Sequence, residues 1–562
     1  MSVRPADFQP PWSAGEAFRP PTDPPDERIE VGFLIVGAGP AGLAAAIRLG
    51  QLIEEDPATA EQLGDVPVAV LEKGKSPGAH LLSGAVVNPR GLQRLFPERR
   101  LDEFPFEGVV EAESVLLLTR THAYRLPTPP TMVNDRNFVV SLSRFGGWLA
   151  EQAESLGATI LPETVAERLL VDGGRVLGVR TGDRGRGRNG EELQNFEAGS
   201  DITARVTILA EGTQGHLTGA ALERFGLQGE GPQVWALGVK EVWRVPKPLG
   251  RVIHTMGWPL RSGKKYREFG GSFVYPLGEE MVTLGMVVGL DYRDPGLSVH
   301  DLLQQLKTHP RIRRIVEGGE RVQWGAKTIP EGGFVALPSR FHAPGLLLAG
   351  DGVGLVNVPA LKGIHYAIES GRLAAEAAWR TLARGVSVRS ALASYDESIR
   401  ASYIWSDLRE VRNMRQAFGH GFYMGGAMAG AMTATKGHFP PGDKKTERDA
   451  DQSVLRTRAP RYPVADGKLT FDKLSSVFAS GNRTRDDQPN HIRVRTRVPR
   501  ELAEMWVHMC PAQVYELGPA DGDGTVEVRL APSNCVQCGA ITAKGGRLTP
   551  PEGGSGPEYT LT

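Results

Sequence analysis

The chain has 562 residues, with 65 Lys+Arg against 65 Asp+Glu, so its formal net charge is zero. That balance removes the electrostatic case for nucleic acid as the main partner, while the length suffices for two or three domains with sizeable cores. An odd count of three cysteines argues against a secreted disulfide scaffold, and 69 Gly with 41 Pro favour turns and loop-borne sites.

Residues 1–28 lack the apolar run of a secretory signal, and Asp7, Glu16, Asp23, Asp26 and Glu27 are foreign to a transit peptide. Their composition predicts a disordered Pro-rich leader. Residues 31–49, VGFLIVGAGPAGLAAAIRL, carry an apolar strand into Gly37-x-Gly39-x-x-Gly42 and then a small-residue helix. In that setting Gly37 makes the tight turn, Gly39 admits a pyrophosphate to the backbone, and Gly42 packs helix on strand. A second strand, Val66–Leu71, ends in Glu72, placed to accept from a ribose hydroxyl. Glu72 follows the glycines later than the usual ~20 residues, and the acidic stretch 54–65 reads as an insertion.

Two later strands return to the same nucleotide fold. Val206-Thr-Ile-Leu-Ala-Glu211-Gly ends in a carboxylate at a glycine turn, as does Gly345-Leu-Leu-Leu-Ala-Gly350-Asp351. A chain that comes back twice points to FAD rather than NAD; the bland reading of Asp351 is a turn or cap aspartate. The segment Pro359–Gly371 then reads as a helix leaving the isoalloxazine end, with His365 and Tyr366 either lining the flavin pocket or packing in the core.

Residues 416–435 contain no Asp, Glu, Lys or Arg, but five glycines dilute them. This predicts shallow insertion in one leaflet rather than a span, with Arg412, Arg415 and Lys436 reaching toward headgroups. A second lipid-facing patch is expected over 104–118. Residues 437–500 read as a solvated connector. All the cysteines come last, as Cys510-Pro and Cys535-x-x-Cys538, a spacing that suits an iron–sulfur cluster, or zinc with His508.

These motifs together resemble the electron transfer flavoprotein–ubiquinone oxidoreductase family. The strings that carry the resemblance include Gly78-Ala-His-Leu-Leu-Ser-Gly84, Gly257-Trp-Pro-Leu, Gly270-Gly-Ser-Phe, Asn357-Val-Pro-Ala-Leu-Lys-Gly and Cys510-Pro-Ala-Gln-Val-Tyr. The resemblance implies an α/β and α+β fold. A Rossmann-like FAD-binding domain (about 29–100, 140–230 and 330–410) would interleave with quinone- and membrane-contact segments (about 101–139, 231–329 and 411–435). A connector and ferredoxin-like iron–sulfur domain would fill 436–562.

The resemblance also implies a monotopic enzyme that takes electrons from reduced electron transfer flavoprotein and passes them to ubiquinone or menaquinone, on the cytoplasmic face of a bacterial inner membrane. His80, Ser83 and Gly84 would lie against the flavin, and the backbone of Gly270 and Gly271 would reach the quinone head group. No catalytic acid or base is assigned. The family's last loop implies a fourth thiolate at position 541, where this chain has Ile541. The expectation therefore divides between a [4Fe–4S] cluster with a non-cysteine fourth ligand (solvent, Thr542 or His508), a [3Fe–4S] cluster, and loss of the cluster. Two alternative functions are a flavin enzyme similar to geranylgeranyl reductases and a docking flavoprotein that has lost turnover.

Overall fold

The apolar run that opens the glycine motif becomes the buried strand Ile29–Val36 at the centre of a nine-stranded sheet, in a computed structural model that describes residues 2–84, 86–457, 460–520, 522 and 524–562. Its neighbours are Asp201–Leu209 on one side and Val68–Leu71 on the other, both parallel to it. Leu346–Leu348 pairs with the far side of Asp201–Leu209, also parallel. The strand ends expected to carry nucleotide ligands therefore open at one edge, as in doubly wound folds. The helices Pro40–Glu55 and Ile364–Trp379 pack against each other, their small residues letting them approach closely.

A second sheet of seven strands runs Glu320–Pro330, Trp235–Arg244, Met281–Gly289, Gly270–Leu277, Val252–Gly257, Glu113–Leu118, Ala123–Leu126. All its pairings are antiparallel except the one between Val252–Gly257 and Glu113–Leu118. The C-terminal part adds a three-stranded sheet (Arg497–Pro499, Thr525–Leu530, Tyr515–Ala520) under the helix Arg500–Met509. Leu502, Met505 and Trp506 of that helix join one apolar cluster with Leu284 and Trp324 of the second sheet, so the two parts share a core.

Three expectations are corrected. The leader is not disordered: Phe18–Arg19 pairs with Ala166–Asp172, and Ala17 and Phe18 are buried. Its few apolar residues sufficed to anchor it, although the Pro-rich composition did not suggest so. Residues 437–500 are no free connector, since Asp449, Thr470, Val477, Ser480 and His491 are all buried. Segment 104–118 presents no broad lipid face, because Phe104, Val115, Leu116 and Leu118 are core residues and Val109 is its exposed large apolar side chain.

One buried ion pair anchors the second sheet. Glu241 on Trp235–Arg244 accepts from Lys307 Nζ at 2.7 Å, Gln304 Nε2 at 3.1 Å and Trp243 Nε1 at 2.7 Å, and both charged side chains are fully buried. Burial alone would raise the Glu241 pKa, but Lys307 and Arg321 outweigh it and hold the carboxyl below its ordinary value. Removing one partner strands the other charge. Lys307→Met is expected to cost about 3–5 kcal/mol, seen as a lower urea midpoint by tryptophan fluorescence, with much of the loss recovered in Lys307→Met/Glu241→Gln. Because the folded pKa is depressed, the pair stabilises fully above the unfolded value of 4.5. That contribution disappears as pH falls through the folded value.

Candidate functional site

One cavity of about 1290 Å³ joins the regions that the sequence singled out. It exceeds the ~300–1,000 Å³ of an ordinary ligand pocket, leaving room for an extended cofactor and a second occupant. Gly37, Gly39, Glu72, His80, Ser83, Gly84, Glu211, Gly270, Gly271, Gly350 and Asp351 all line it.

The glycine loop is built for a close approach. A Cβ on Gly42 would fall 1.9 Å from the Gly37 carbonyl oxygen, and Gly37 has φ +104° with its own Cβ position 2.5 Å from Ala210 O. Beyond the loop, Pro40–Glu55 begins without a side-chain cap. The helix thus offers unsatisfied N–H groups and a positive dipole end beside the cavity, the arrangement that holds a pyrophosphate. Glu72 accepts from Ala38 N at 3.0 Å and Gly74 N at 2.6 Å, so it shapes the loop while keeping lone pairs for a ribose hydroxyl. Glu211 is engaged by the start of the helix His216–Arg224, through Thr218 N (2.6 Å), Thr218 Oγ1 (2.7 Å) and Leu217 N (3.2 Å). Gly350 N donates to Ser370 Oγ at 3.0 Å, and burial pushes the Asp351 carboxyl up to about 6. An uncapped helix, a backbone cradle and carboxylates at strand ends fit FAD.

His365 and Tyr366 do not line the cavity. On the helix Ile364–Trp379 they turn toward Tyr403, Arg90 and Asp407; Tyr403 Oη donates to His365 O at 3.0 Å and Tyr366 Oη donates to Asp407 at 3.1 Å. Arg415 and Arg412 do not reach outward either. Arg415 is buried between Asp291 and Glu331, both at 2.9 Å, and Arg412 pairs with Asp443 at 2.9 Å. At Gly270 and Gly271 the sheet itself demands glycine, since Cβ atoms there would fall 2.0 Å from Val287 O and 2.5 Å from Thr255 O.

Cys510, Cys535 and Cys538 surround Tyr515, whose phenol is pushed far up by burial first and then by all three sulfurs. Cys510 Sγ accepts from Val514 N at 3.5 Å and Cys535 Sγ from Gln537 N at 3.4 Å. Burial raises all three thiols, Cys538 to about 12. Such thiols become thiolates only beside a cationic centre, and backbone amides directed at sulfur are suited to the iron-bound form. Among the described residues, no group of three or more His, Cys, Asp or Glu is placed to hold a single metal ion. The charges acting on His508 come from Lys473, Asp301, Glu504 and Asp294. The zinc reading with His508 thus has no support, whereas a cluster takes its thiolates on different irons. Ile541 is buried in the shared core and brings no donor.

The sequence reading missed the lysines. Lys73 faces Cys535, Lys327 faces Cys538 and Cys535, and Lys473 faces Cys510. Lys240 is buried, donates to Ser83 O at 2.9 Å and is lowered by burial to about 7. The available signal was a Lys-Glu pair in the middle of the apolar string WALGVKEVWR.

The fold and site define an FAD-binding oxidoreductase with an added iron–sulfur module. Family models match residues 235–329 ("ETF-QO, ubiquinone-binding") and 467–560 ("Electron transfer flavoprotein-ubiquinone oxidoreductase, 4Fe-4S"). The mitochondrial electron transfer flavoprotein-ubiquinone oxidoreductase of Oryza sativa is 37% identical over 98% of this chain and 96% of its own length. A probable enzyme of that name from Acinetobacter baylyi is 36% identical over 95% and 98%. The chain belongs to the electron transfer flavoprotein–ubiquinone oxidoreductase family: it moves electrons from electron transfer flavoprotein to ubiquinone, with FAD and an iron–sulfur cluster as cofactors. A geranylgeranyl bacteriochlorophyll reductase-like protein of Thermoplasma acidophilum shares the fold at TM-score 0.55 and 17% identity, covering 73% of this chain and 92% of its own. That likeness is of fold alone.

The loop geometry yields a test. Gly42→Ala forces Gly37 aside, so the purified variant is expected to carry well under half the wild-type flavin, read from absorbance at 450 nm against 280 nm.

Proposed function

We propose that FAD lies along Gly37, Gly39, Gly42, Glu72, His80, Ser83, Gly84, Glu211, Gly350 and Asp351, that the quinone head group meets Gly270 and Gly271, and that Cys510, Cys535 and Cys538 hold the cluster. The observation that carries this reading is the continuity of one cavity. It touches the glycine loop, the Gly270–Gly271 strand and the helix Phe422–Ala434, which lines it through Gly426, Ala429 and Gly430. FAD, when bound, supplies a centre able to hold one or two electrons. The chain's own part is to bind it, exclude water and admit a lipid-soluble quinone from the membrane side.

The protein is monotopic on this reading. No helix among the described residues is long and apolar enough to cross a membrane. Phe422–Ala434 has 13 residues, about 20 Å at ~1.5 Å per residue, short of the ~30 Å hydrocarbon core. It exposes Tyr423 (74%) and Met424 (60%) beside the cavity. We assign it to one leaflet on the cytoplasmic face of a bacterial inner membrane, a placement supported by three cysteines that form no disulfide, as suits a reducing compartment. Ubiquinone and menaquinone both fit a site that meets the head group with backbone. In liposome flotation, Tyr423→Ser/Met424→Ser is expected to weaken membrane partitioning at least tenfold while leaving flavin content unchanged; full flotation of the variant would remove this helix from the membrane account.

With Ile541 at the fourth position, three cysteines either leave one iron of a four-iron cluster without a thiolate or complete a three-iron cluster. Electron paramagnetic resonance of anaerobically purified protein, with iron and sulfide quantified, is expected to show either a three-iron signal in the oxidised state or a four-iron signal on reduction. Ile541→Cys is expected to convert the first into the second. Metal-free protein with full activity would refute a cluster at these cysteines.

A further inference from the structure

Reducing a quinone to a quinol consumes two protons as well as two electrons, and the proposed head-group site lies in a cavity with buried walls. Gly270–Gly271 offers no side chain to supply a proton. Further along that strand and on its antiparallel neighbour Val252–Gly257, Tyr275 Oη and His254 Nε2 form a 2.7 Å hydrogen bond, with ring centroids 5.3 Å apart. Both are buried, both line the cavity, and His254 Nδ1 has no hydrogen-bond partner. Tyr275 Oη also faces Gly84: a Cβ there would lie 3.9 Å from it. A phenol and a neutral imidazole in contact form a chain able to pass a proton along itself.

Three other groups complete the surroundings. Lys362 lines the cavity and is the charged group acting on His254. Its Nζ donates to Asn134 Oδ1 at 2.5 Å, and Asn134 Nδ2 donates to Glu113 Oε2 at 2.9 Å. Glu113, on the strand parallel to the His254 strand, is only half buried, so this end of the row meets solvent. Burial and Lys362 lower His254 to about 3, keeping it neutral and thus both donor and acceptor. Burial, partly offset by Glu113, lowers Lys362 to about 8, near the working range of a proton donor.

We infer that Tyr275, His254 and Lys362 form the proton relay to the quinone carbonyl oxygen. This rests on the placement of the quinone head at Gly270–Gly271. In each transfer the Tyr275 O–H bond breaks as the O–H bond of the reduced quinone forms. The His254 Nε2 proton passes to the phenolic oxygen, and Nδ1 takes a proton from the Lys362 ammonium across the cavity. The Lys362 amine then regains a proton from water at the Glu113 end. Before the second transfer the imidazole tautomerises, its proton returning from Nδ1 to Nε2; two such transfers, with the two electrons supplied by reduced electron transfer flavoprotein, complete the quinol.

The test uses the holoenzyme with reduced electron transfer flavoprotein as donor and two acceptors: a short-chain ubiquinone analogue, and ferricenium, which takes one electron and no proton. Tyr275→Phe and His254→Gln are expected to lower kcat for the quinone about 100-fold with KM within twofold, to change the solvent deuterium isotope effect, and to spare ferricenium turnover and flavin content. In the wild type, quinone turnover falls as pH rises through about 8, when the Lys362 ammonium is lost. Wild-type kcat and pH profile in both variants would overturn the relay, as would equal losses with both acceptors. Photolabelling with an azido-quinone separates the two readings. A label mapped away from residues 252–275 ends the quinone placement, whereas a label there with normal Tyr275→Phe kinetics ends the relay alone.

Discussion

The constraint on which the rest of the structure depends is the holding of charge away from bulk water. Lys73, Lys240, Lys327, Lys362 and Lys473 are all lowered by burial, and all but Lys473 line the cavity. A buried cation without an anion is unstable, so each must find oxygen, carboxylate or sulfur nearby. Glu72 supplies part of that need. A dinucleotide pyrophosphate and a thiolate-bound cluster, both anionic, supply more. The positive interior is therefore matched to its cofactors, and the same low dielectric that makes it costly when empty strengthens every such contact when filled.

This electrostatic matching explains why the modules are not separable pieces. The second sheet and the C-terminal helix share one apolar cluster, and Lys327 of that sheet donates to Gln537 O between two cysteines at 3.3 Å. Electron transfer between centres depends on fixed separation, and a shared core fixes it better than a linker. The buried Lys307–Glu241 pair, with Gln304 and Trp243, stiffens the strand from which Lys240 projects.

Much of the nucleotide site was legible because it is local. Strand, glycine turn and helix are contiguous from Phe33 onward, and Glu211 and Asp351 end strands that can be read as apolar runs. The family strings placed His80, Ser83 and Gly84 on the cavity wall. Illegible in the sequence were features made by distant segments. His254 and Tyr275 come together through antiparallel register, and Lys362 meets Asn134 across 228 residues of sequence. Helix phase was another source of error: each residue turns the direction by about 100°, so Ile364 and Ala367 line the cavity while His365 and Tyr366 look away. Composition misled at the leader, where two apolar residues outweighed many polar ones.

The cavity wall also includes His491, Gln537, Gly539, Leu548, Thr549 and Pro550. Thr562 closes over the region as well, donating to Leu81 O at 2.7 Å and accepting from Ser143 N at 3.0 Å. The glycine loop thus emerges early in synthesis, while part of the wall that encloses its ligand emerges at the other end of the described chain. Closure of the cavity around a flavin therefore depends on residues 491–562 being packed against the glycine-loop end of the described chain.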